Sequence, residues 1–426
     1  LCIVQDDQGD WEVESSKMAE IYSNATLTIA ATGSTGCHGG CLFDRWSSQM
    51  NPSRILSMKP IELKAPSNEY FRNMYVRPLP IAHGAFLSRR SLLNFSPALM
   101  RRAWAFQERL LSHRIIHFHH EEMIWECMTD LNCECGWETE TQRDNEPLKK
   151  DYAALLRMDT NSLTLIPRTI ESWPKIVSMY SELALTFETD RLPALSGLAS
   201  RLASPGGLDY LAGLWRSDLE RLLGWTRFIP KDESTLGHAE RCAAPTPPTW
   251  SWASITSTVA GKPQAVCFPT IDLVDNATPE TRVIESSCYL AGADHFGAVS
   301  GGYILIEGKV ISANLRHNHD RGDIHCLSFD DEHRTLFLTD ISCISRNPRE
   351  PEPVQALLLI SSQVSLPYGF QESHEKEFPG ICLWWADFVL VLRDIGGGKH
   401  ERVGLAIADK AWRLFEDVSI SEITLI

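Results

Sequence analysis

Apolar and polar residues recur along this chain with changing periods, and the changes mark out its elements. "LCIV" (1–4) is a short apolar run that reads as a strand and stops at the acidic, turn-prone "QDDQGD". From Trp11 to about Asn24, the residues Trp11, Met18, Ile21, Tyr22 and Ala25 fall on one helical face, with Asp10 placed to cap it. "TLTIAAT" (26–32) follows as a β-branched strand, then a Gly/Ser/Cys-rich loop to about Arg45. Strand, helix, strand in that order is a βαβ unit, which implies a parallel sheet with helices on its faces. Beyond a proline-punctuated stretch (46–80), helices are expected around Ser91–Leu93 and over Trp104–Ser112. Two short strands, "RIIHFH" and "MIWEC", come next.

From about 147 to 225 the spacing turns helical in "YAALLRM", "WPKIVSMYSELALTF" and "YLAGLWRSDLERLLGW". "AAPTPPTWSWASI" (243–255) is a proline-rich connector running into an aromatic strand. From about 263 strands dominate: "GYILIEGKVISANL", "TLFLTDISCI", "VQALLLISSQV", "ADFVLVLRDI" and "ISEITLI". The expected fold class is therefore α/β: a partial parallel-sheet domain (1–150), a helical companion region (151–255) and a β-rich C-terminal region (256–426). The last two merge if "LPALSGLA" and the "PTWSWAS" strand return to one core.

Bulk composition narrows the function. The 426 residues carry a formal charge of −15, which leaves no basic stripe to neutralise phosphates and argues against a nucleic-acid partner. Twelve cysteines without a dense framework indicate reduced thiols in a cytoplasmic protein. No signal peptide and no bilayer-length apolar run are present, so no membrane partner is expected; "ICLWWADFVLVL" (381–392) is short, broken by Asp387, and reads as buried strand. The chain begins at Leu1 inside an expected strand, as a fragment lacking an upstream part would.

Several candidate sites dissolve on their spacing. "CHGGC" (37–41) and "CECGW" (133–137), near His117, His119, His120 and Cys127, lack the paired C-x2-C units of a strong zinc site, so no metal is expected. "GGGKHER" (396–402) has His400 after Lys399 where a phosphate loop needs Ser or Thr, and reads as a hairpin turn. No serine occupies a G-x-S-x-G elbow. Two features carry more weight. Asp6 and Asp7 leave the carboxyl end of the first strand, where parallel sheets bind ligands, and can orient a ribose hydroxyl or else cap the next helix. Glu108 lies between Trp104 and Leu111 on one helical face, at a place where a hydrophobe is expected. Desolvating that carboxylate costs several kcal/mol, on the order of 3–5, unless a group such as Arg101 or Arg102 compensates.

These stretches resemble a known family. "LCIVQDDQGDWEVESSKMAEIYSNATLTIAAT" is similar to the central block of the fungal heterokaryon incompatibility (HET) domain. That block has an Asp/Gln loop, D-W, E-x-x-x-M-x-x-I-Y and a T-I-A-A-T strand. "RRAWAFQERLLSHRIIHF" looks like the family's next block, R-x-W-x-x-Q-E-R-x-L-S, and "PTWSWAS" (248–254) like a segment often found downstream. The resemblance covers about residues 1–135. It implies a cytoplasmic fungal protein of non-self recognition and programmed cell death, distantly related to Toll/interleukin-1 receptor (TIR) domains. Some of those cleave NAD+ with the glutamate of a W-x-x-x-E segment, and here Trp104 and Glu108 fill that pattern. The resemblance thus implies Glu108 as catalytic carboxylate, with Asp6, Asp7, Arg102, Trp104 and Gln107 around the substrate. It implies no cofactor, because NAD+ enters as substrate. The other reading is a non-catalytic module that acts through a protein partner or self-association, or an inactive truncated product.

Overall fold

The computed structural model describes residues 7–36, 38–42, 61–63, 74–76, 97–119, 122–134, 148–157, 165–227, 239–242, 247–257, 259, 263–269, 278–318, 324–330, 333–340, 351–364 and 384–426. The expected strand over 1–4, the helix around Ser91–Leu93, Asp6, Cys37, His120 and most of "CECGW" lie outside these residues. The expected helix from Trp11 to Asn24 is corrected to two, α1 (Gln8–Ser16) and α2 (Met18–Asn24). Its cap is corrected too: the Asp7 carboxylate accepts from the Asp10 backbone N–H at 3.0 Å, so Asp10 sits inside the first turn. The break at Lys17 has a local cause. Ser15 and Ser16 turn their hydroxyls back onto the carbonyls of Glu12 and Val13, and the Lys17 N–H takes the carbonyl three residues back.

The chain divides into two compact units, one spanning Ala19–Ala154 and the other joining α1 to Leu155–Ile426. In the first, β1 (Thr28–Ala30) follows α2, and β2 (Ile61–Leu63) pairs antiparallel with β3 (Met74–Val76). Helix α3 (Ala103–Leu111) leads into β4 (Arg114–Phe118), β5 (Met123–Cys127) and β6 (Leu131–Cys133), and α4 (Leu148–Leu156) closes the unit. The sheet order is β1-β4-β5-β6. β1 runs parallel to β4, with Thr28 opposite Ile115, whereas β4, β5 and β6 are antiparallel. Among the described strands of this unit, the parallel character is thus confined to one pair. Only a few residues separate β4 from β5 and β5 from β6, as suits antiparallel neighbours, which need no helical crossover.

The second unit holds α5 (Leu165–Ser181) and α6 (Pro193–Gly206), and α1 packs on α6. The helix expected over 210–225 is corrected. Residues 210–215 form a hairpin of β7 (Tyr210–Leu211) and β8 (Leu214–Trp215), and only α7 (Leu219–Leu222) is α-helical there. Ala212 and Gly213 both take positive φ, 45° and 98°, as a two-residue hairpin turn demands. The turn anchors an aromatic core, because the Gly213 carbonyl accepts from the indole N–H of Trp173 (2.8 Å) and of Trp252 (3.0 Å). A Cβ on Gly213 would stand 2.5 Å from the Trp252 indole nitrogen. Gly213→Ala should therefore cost about 3 kcal/mol from overpacking plus left-handed strain. A thermal melt within a degree of the parent's would refute that.

Small paired strands follow: β9 (Thr226–Arg227) with β12 (Val266–Cys267), and β10 (Ala239–Arg241) with β11 (Ile255–Ser257). The aromatic segment before β11 is a 3-10 turn, Trp252–Ser254, with Trp250 and Trp252 fully buried. The C-terminal region is β-rich, as its alternation predicts. Its strands are β13 (Thr278–Pro279), β14 (Arg282–Leu290), β15 (Val299–Asn318), β16 (Ile324–Ser328) and β17 (Arg334–Thr339). They continue as β18 (Glu352–Val364), β19 (Trp384–Gly396), β20 (Lys399–Asp409) and β21 (Ile420–Leu425). The succession β15-β18-β19-β20-β17-β16 returns to β15, closing a six-stranded barrel. Its interior is filled by inward residues such as Leu315, Leu327, Ala356, Val389, Val391 and Ala406, as a barrel this small requires. "GGGKHER" is a hairpin turn between β19 and β20, with Gly396, Gly397 and Gly398 all at positive φ. No described helix is long and apolar enough to cross a membrane.

Candidate functional site

Helix α3 begins after Arg102, whose extended backbone turns the chain into the first helical turn. Its buried face runs through Ala103, Gln107, Leu110 and Leu111. Trp104 is only partly buried, because it flanks that face. Glu108 occupies the same flank, so the carboxylate lies at the border of the apolar face and not at its centre. The end of the helix is fixed to the sheet: the Ser112 hydroxyl donates to the Glu108 carbonyl (2.7 Å) and meets the Thr28 hydroxyl of β1 (2.8 Å).

Glu108 receives a hydrogen bond from the phenol of Tyr22 on α2. Burial raises its pKa above the ordinary carboxylate value, and the Tyr22 hydrogen bond and the nearby Arg102 charge offset only part of that. Burial and the Glu108 charge in turn push the Tyr22 phenol far above its ordinary value, so it stays protonated and donates. Among the described residues Glu108 makes no direct ion pair, and Arg102 acts on it through its charge while remaining solvent-exposed.

Of the residues nominated from sequence, Arg102, Trp104, Gln107 and Glu108 share the start and middle of α3. Gln107 points inward and is completely buried, whereas Glu108 is the polar side chain on the exposed flank. Asp7 belongs to the other unit and serves as the N-cap of α1. Tyr22, read from sequence as one more apolar-face residue, turns out to be the hydrogen-bonding partner of Glu108. The signal in the sequence was no more than a phenolic hydroxyl on a face read as apolar, which needs a partner when buried.

A second acid in the same unit shows what full compensation looks like. Glu126 on β5 is 1% exposed and takes two bonds from the Arg109 guanidinium, Nε at 2.8 Å and Nη2 at 2.8 Å, and a third contact from His117 Nε2 at 3.0 Å. Burial alone would push the Glu126 carboxyl up; Arg109 and His117 outweigh it and hold it far below the usual range. Since an ionised Glu126 only accepts, His117 carries its proton on Nε2, and its Nδ1 accepts from the Thr32 hydroxyl at 2.9 Å. Thr32, His117 and Glu126 have the connectivity of a hydroxyl–imidazole–carboxylate relay, yet all three are sealed from solvent. That seal makes the relay architecture and not a reaction centre. Sequence reasoning missed this network. The signal lay in "MIWEC", where strand alternation turns Ile124 and Glu126 to the same buried face.

Among the described residues, no three His, Cys, Asp or Glu side chains come together to hold a metal. The family model described as heterokaryon incompatibility protein (HET) matches residues 1–108 and identifies this stretch as a HET domain. No curated protein and no solved structure matches the chain. All six residues nominated from sequence fall inside the matched stretch.

Proposed function

We propose that this HET-domain chain serves heterokaryon-incompatibility-type recognition in a fungal cytoplasm, and that it triggers cell death by hydrolysing NAD+ at Glu108. The contrast between the two acids carries this reading. Glu126 is neutralised and closed off, whereas Glu108 keeps a raised pKa, a single phenolic donor, a cation at a distance and partial access to solvent. Leaving one carboxylate underpaired is what a working site does and a structural ion pair does not. In the reaction, the bond between nicotinamide nitrogen and ribose C1′ breaks and its electron pair leaves with nicotinamide. The sugar becomes an oxocarbenium ion, water adds to C1′, and the proton that water loses passes to solvent. Ionised Glu108 would stabilise the cationic sugar, Tyr22 would hold the carboxylate in place, and Arg102 would face the phosphates.

A second reading draws on the same hydrogen bond. Tyr22 and Glu108 tie α2 to α3, as an architectural contact in a non-catalytic module acting through a protein partner or self-association would do. The two readings part on Glu108→Gln, whose amide oxygen can still accept from Tyr22. NAD+ consumption and nicotinamide release are to be followed in the protein at its natural length and in this variant. We expect turnover to fall by about 10³-fold or more with the melting temperature almost unchanged. Cell killing that persists in the variant, or a parent protein that leaves NAD+ intact, would transfer the function to the interaction module.

A further inference from the structure

The second unit contains a cleft of about 530 Å³ that the HET reading does not use. It opens where β14 meets the start of β15, beside the first residues of β20 and the Pro247–Pro248 connector. Its size lies within the range of small-molecule sites. The floor is bare backbone, because "SGGY" places Gly301 opposite Tyr289 in the β14–β15 register. Gly301 takes φ +151°, and a Cβ there would stand 3.4 Å from the Tyr289 ring. One edge of the tyrosine thus covers the glycine, and the ring is left 55% exposed to the cleft.

Charge in the lining is unevenly satisfied. Glu401 is held by Arg393 Nη1 at 2.5 Å, and the Tyr303 hydroxyl donates to Glu285, so these two side-chain carboxylates are engaged. The side chain of Lys399, in the same lining, makes no hydrogen bond or ion pair among the described residues. An open aromatic face, a side-chain-free floor, a proline rim and an unengaged ammonium together specify a ligand more than any one does alone. Apolar surface and ring face favour a flat ring, and the ammonium favours one negative group.

We propose that this cleft binds a small aromatic carboxylate, its ring against Tyr289 over Gly301 and its carboxylate on Lys399. Both side chains are exposed, so Tyr289→Ala and Lys399→Met leave the fold intact, which equal melting temperatures would verify. The test is calorimetric titration of the full chain with 4-hydroxybenzoate and indole-3-acetate, alongside the uncharged 4-hydroxybenzamide. We expect saturable one-site binding of at least one acid in the micromolar to millimolar range. Each variant should weaken it about tenfold or more. The amide should bind more weakly than 4-hydroxybenzoate and be indifferent to Lys399→Met. Failure of both acids to saturate, or affinities that neither variant changes, would overturn the proposal. Binding that depends on Tyr289 but ignores Lys399 would overturn its anionic half and leave only an apolar ring site.

Discussion

Replacing Arg402 by methionine is expected to lower the stability of the barrel-containing unit by about 3–5 kcal/mol, enough to unfold a marginal protein. The guanidinium is fully buried, lies 3.6 Å over the Trp225 ring, and grips Asp340 through Nε at 2.8 Å and Nη2 at 3.2 Å. Two further N–H groups donate to the carbonyls of Leu223 and Trp225. Arg241 joins from the side, donating to Asp340 at 3.3 Å and to the Arg402 carbonyl. One residue of β20 thus ties the barrel to the turn after α7. Methionine fills much of the volume but abandons a buried carboxylate to a single, longer contact and leaves two carbonyls without a donor. Urea denaturation followed through buried tryptophan fluorescence would read the loss. The double variant Arg402→Met with Asp340→Leu should recover part of it, because removing both charges ends the desolvation of either. A single variant within about 0.5 kcal/mol of the parent would show the cluster to be ornamental.

How far the sequence foretells these features depends on the range of the interactions. The β-rich C-terminal region was legible because period-two alternation is local: "VQALLLISSQV" and "ADFVLVLRDI" announce strands by themselves. Barrel closure was not, since it requires the 20-residue β15 to pair with both β16 and β18, while other points along its length pair with β14 and β21. The hairpin at 210–215 defeated the periodicity argument for a physical reason. Leu211, Leu214, Trp215, Leu219, Leu222 and Leu223 satisfy helical spacing, and only the left-handed pair Ala212–Gly213 decides otherwise. Likewise Ser15–Ser16 breaks an amphipathic pattern that continues past it, through hydroxyl bonds that periodicity does not see.

The candidate site divides in the same way. Glu108 stood out because an acid among Trp104 and Leu111 contradicts its neighbours within one helix. Its partner Tyr22 lies on another helix, 86 positions earlier, and nothing local joins the two. Glu126 is harder still, since Arg109, His117 and Thr32 reach it or each other from a helix, a strand and a loop. The sequence shows acids in unusual places; which of them has been neutralised is decided by long-range packing.

That packing makes opposite predictions for two neighbours in the first unit. Glu126→Gln should destabilise it by about 3 kcal/mol at neutral pH, because Arg109 loses its counter-charge inside the protein. Lys149→Met should stabilise it. The Lys149 ammonium is 1% exposed and finds no hydrogen-bond partner among the described residues; burial lowers its pKa from 10.5 to about 8, against the pull of Glu126. Below pH 8 the amine is charged in both states, so the folded protein bears the full cost of burying it. Above that value the unfolded chain holds the proton longer, and stability climbs until pH 10.5. The gain from methionine at pH 7 is thus at most about 3 kcal/mol. The acid side follows the same sign. Burial lowers the His117 pKa below 6.5, so stability starts to fall as pH drops through 6.5. It falls again below 4.5, where unfolded Glu126 takes up a proton that the folded carboxylate resists. Urea midpoints measured from pH 3 to pH 10 should show both steps in the parent, and Glu126→Gln should abolish the lower one. Hydrogen exchange at the β4 and β5 amides would place the change in this unit. Loss of stability in Lys149→Met would mean that its ammonium is compensated after all, and the opposite-sign argument would fail with it.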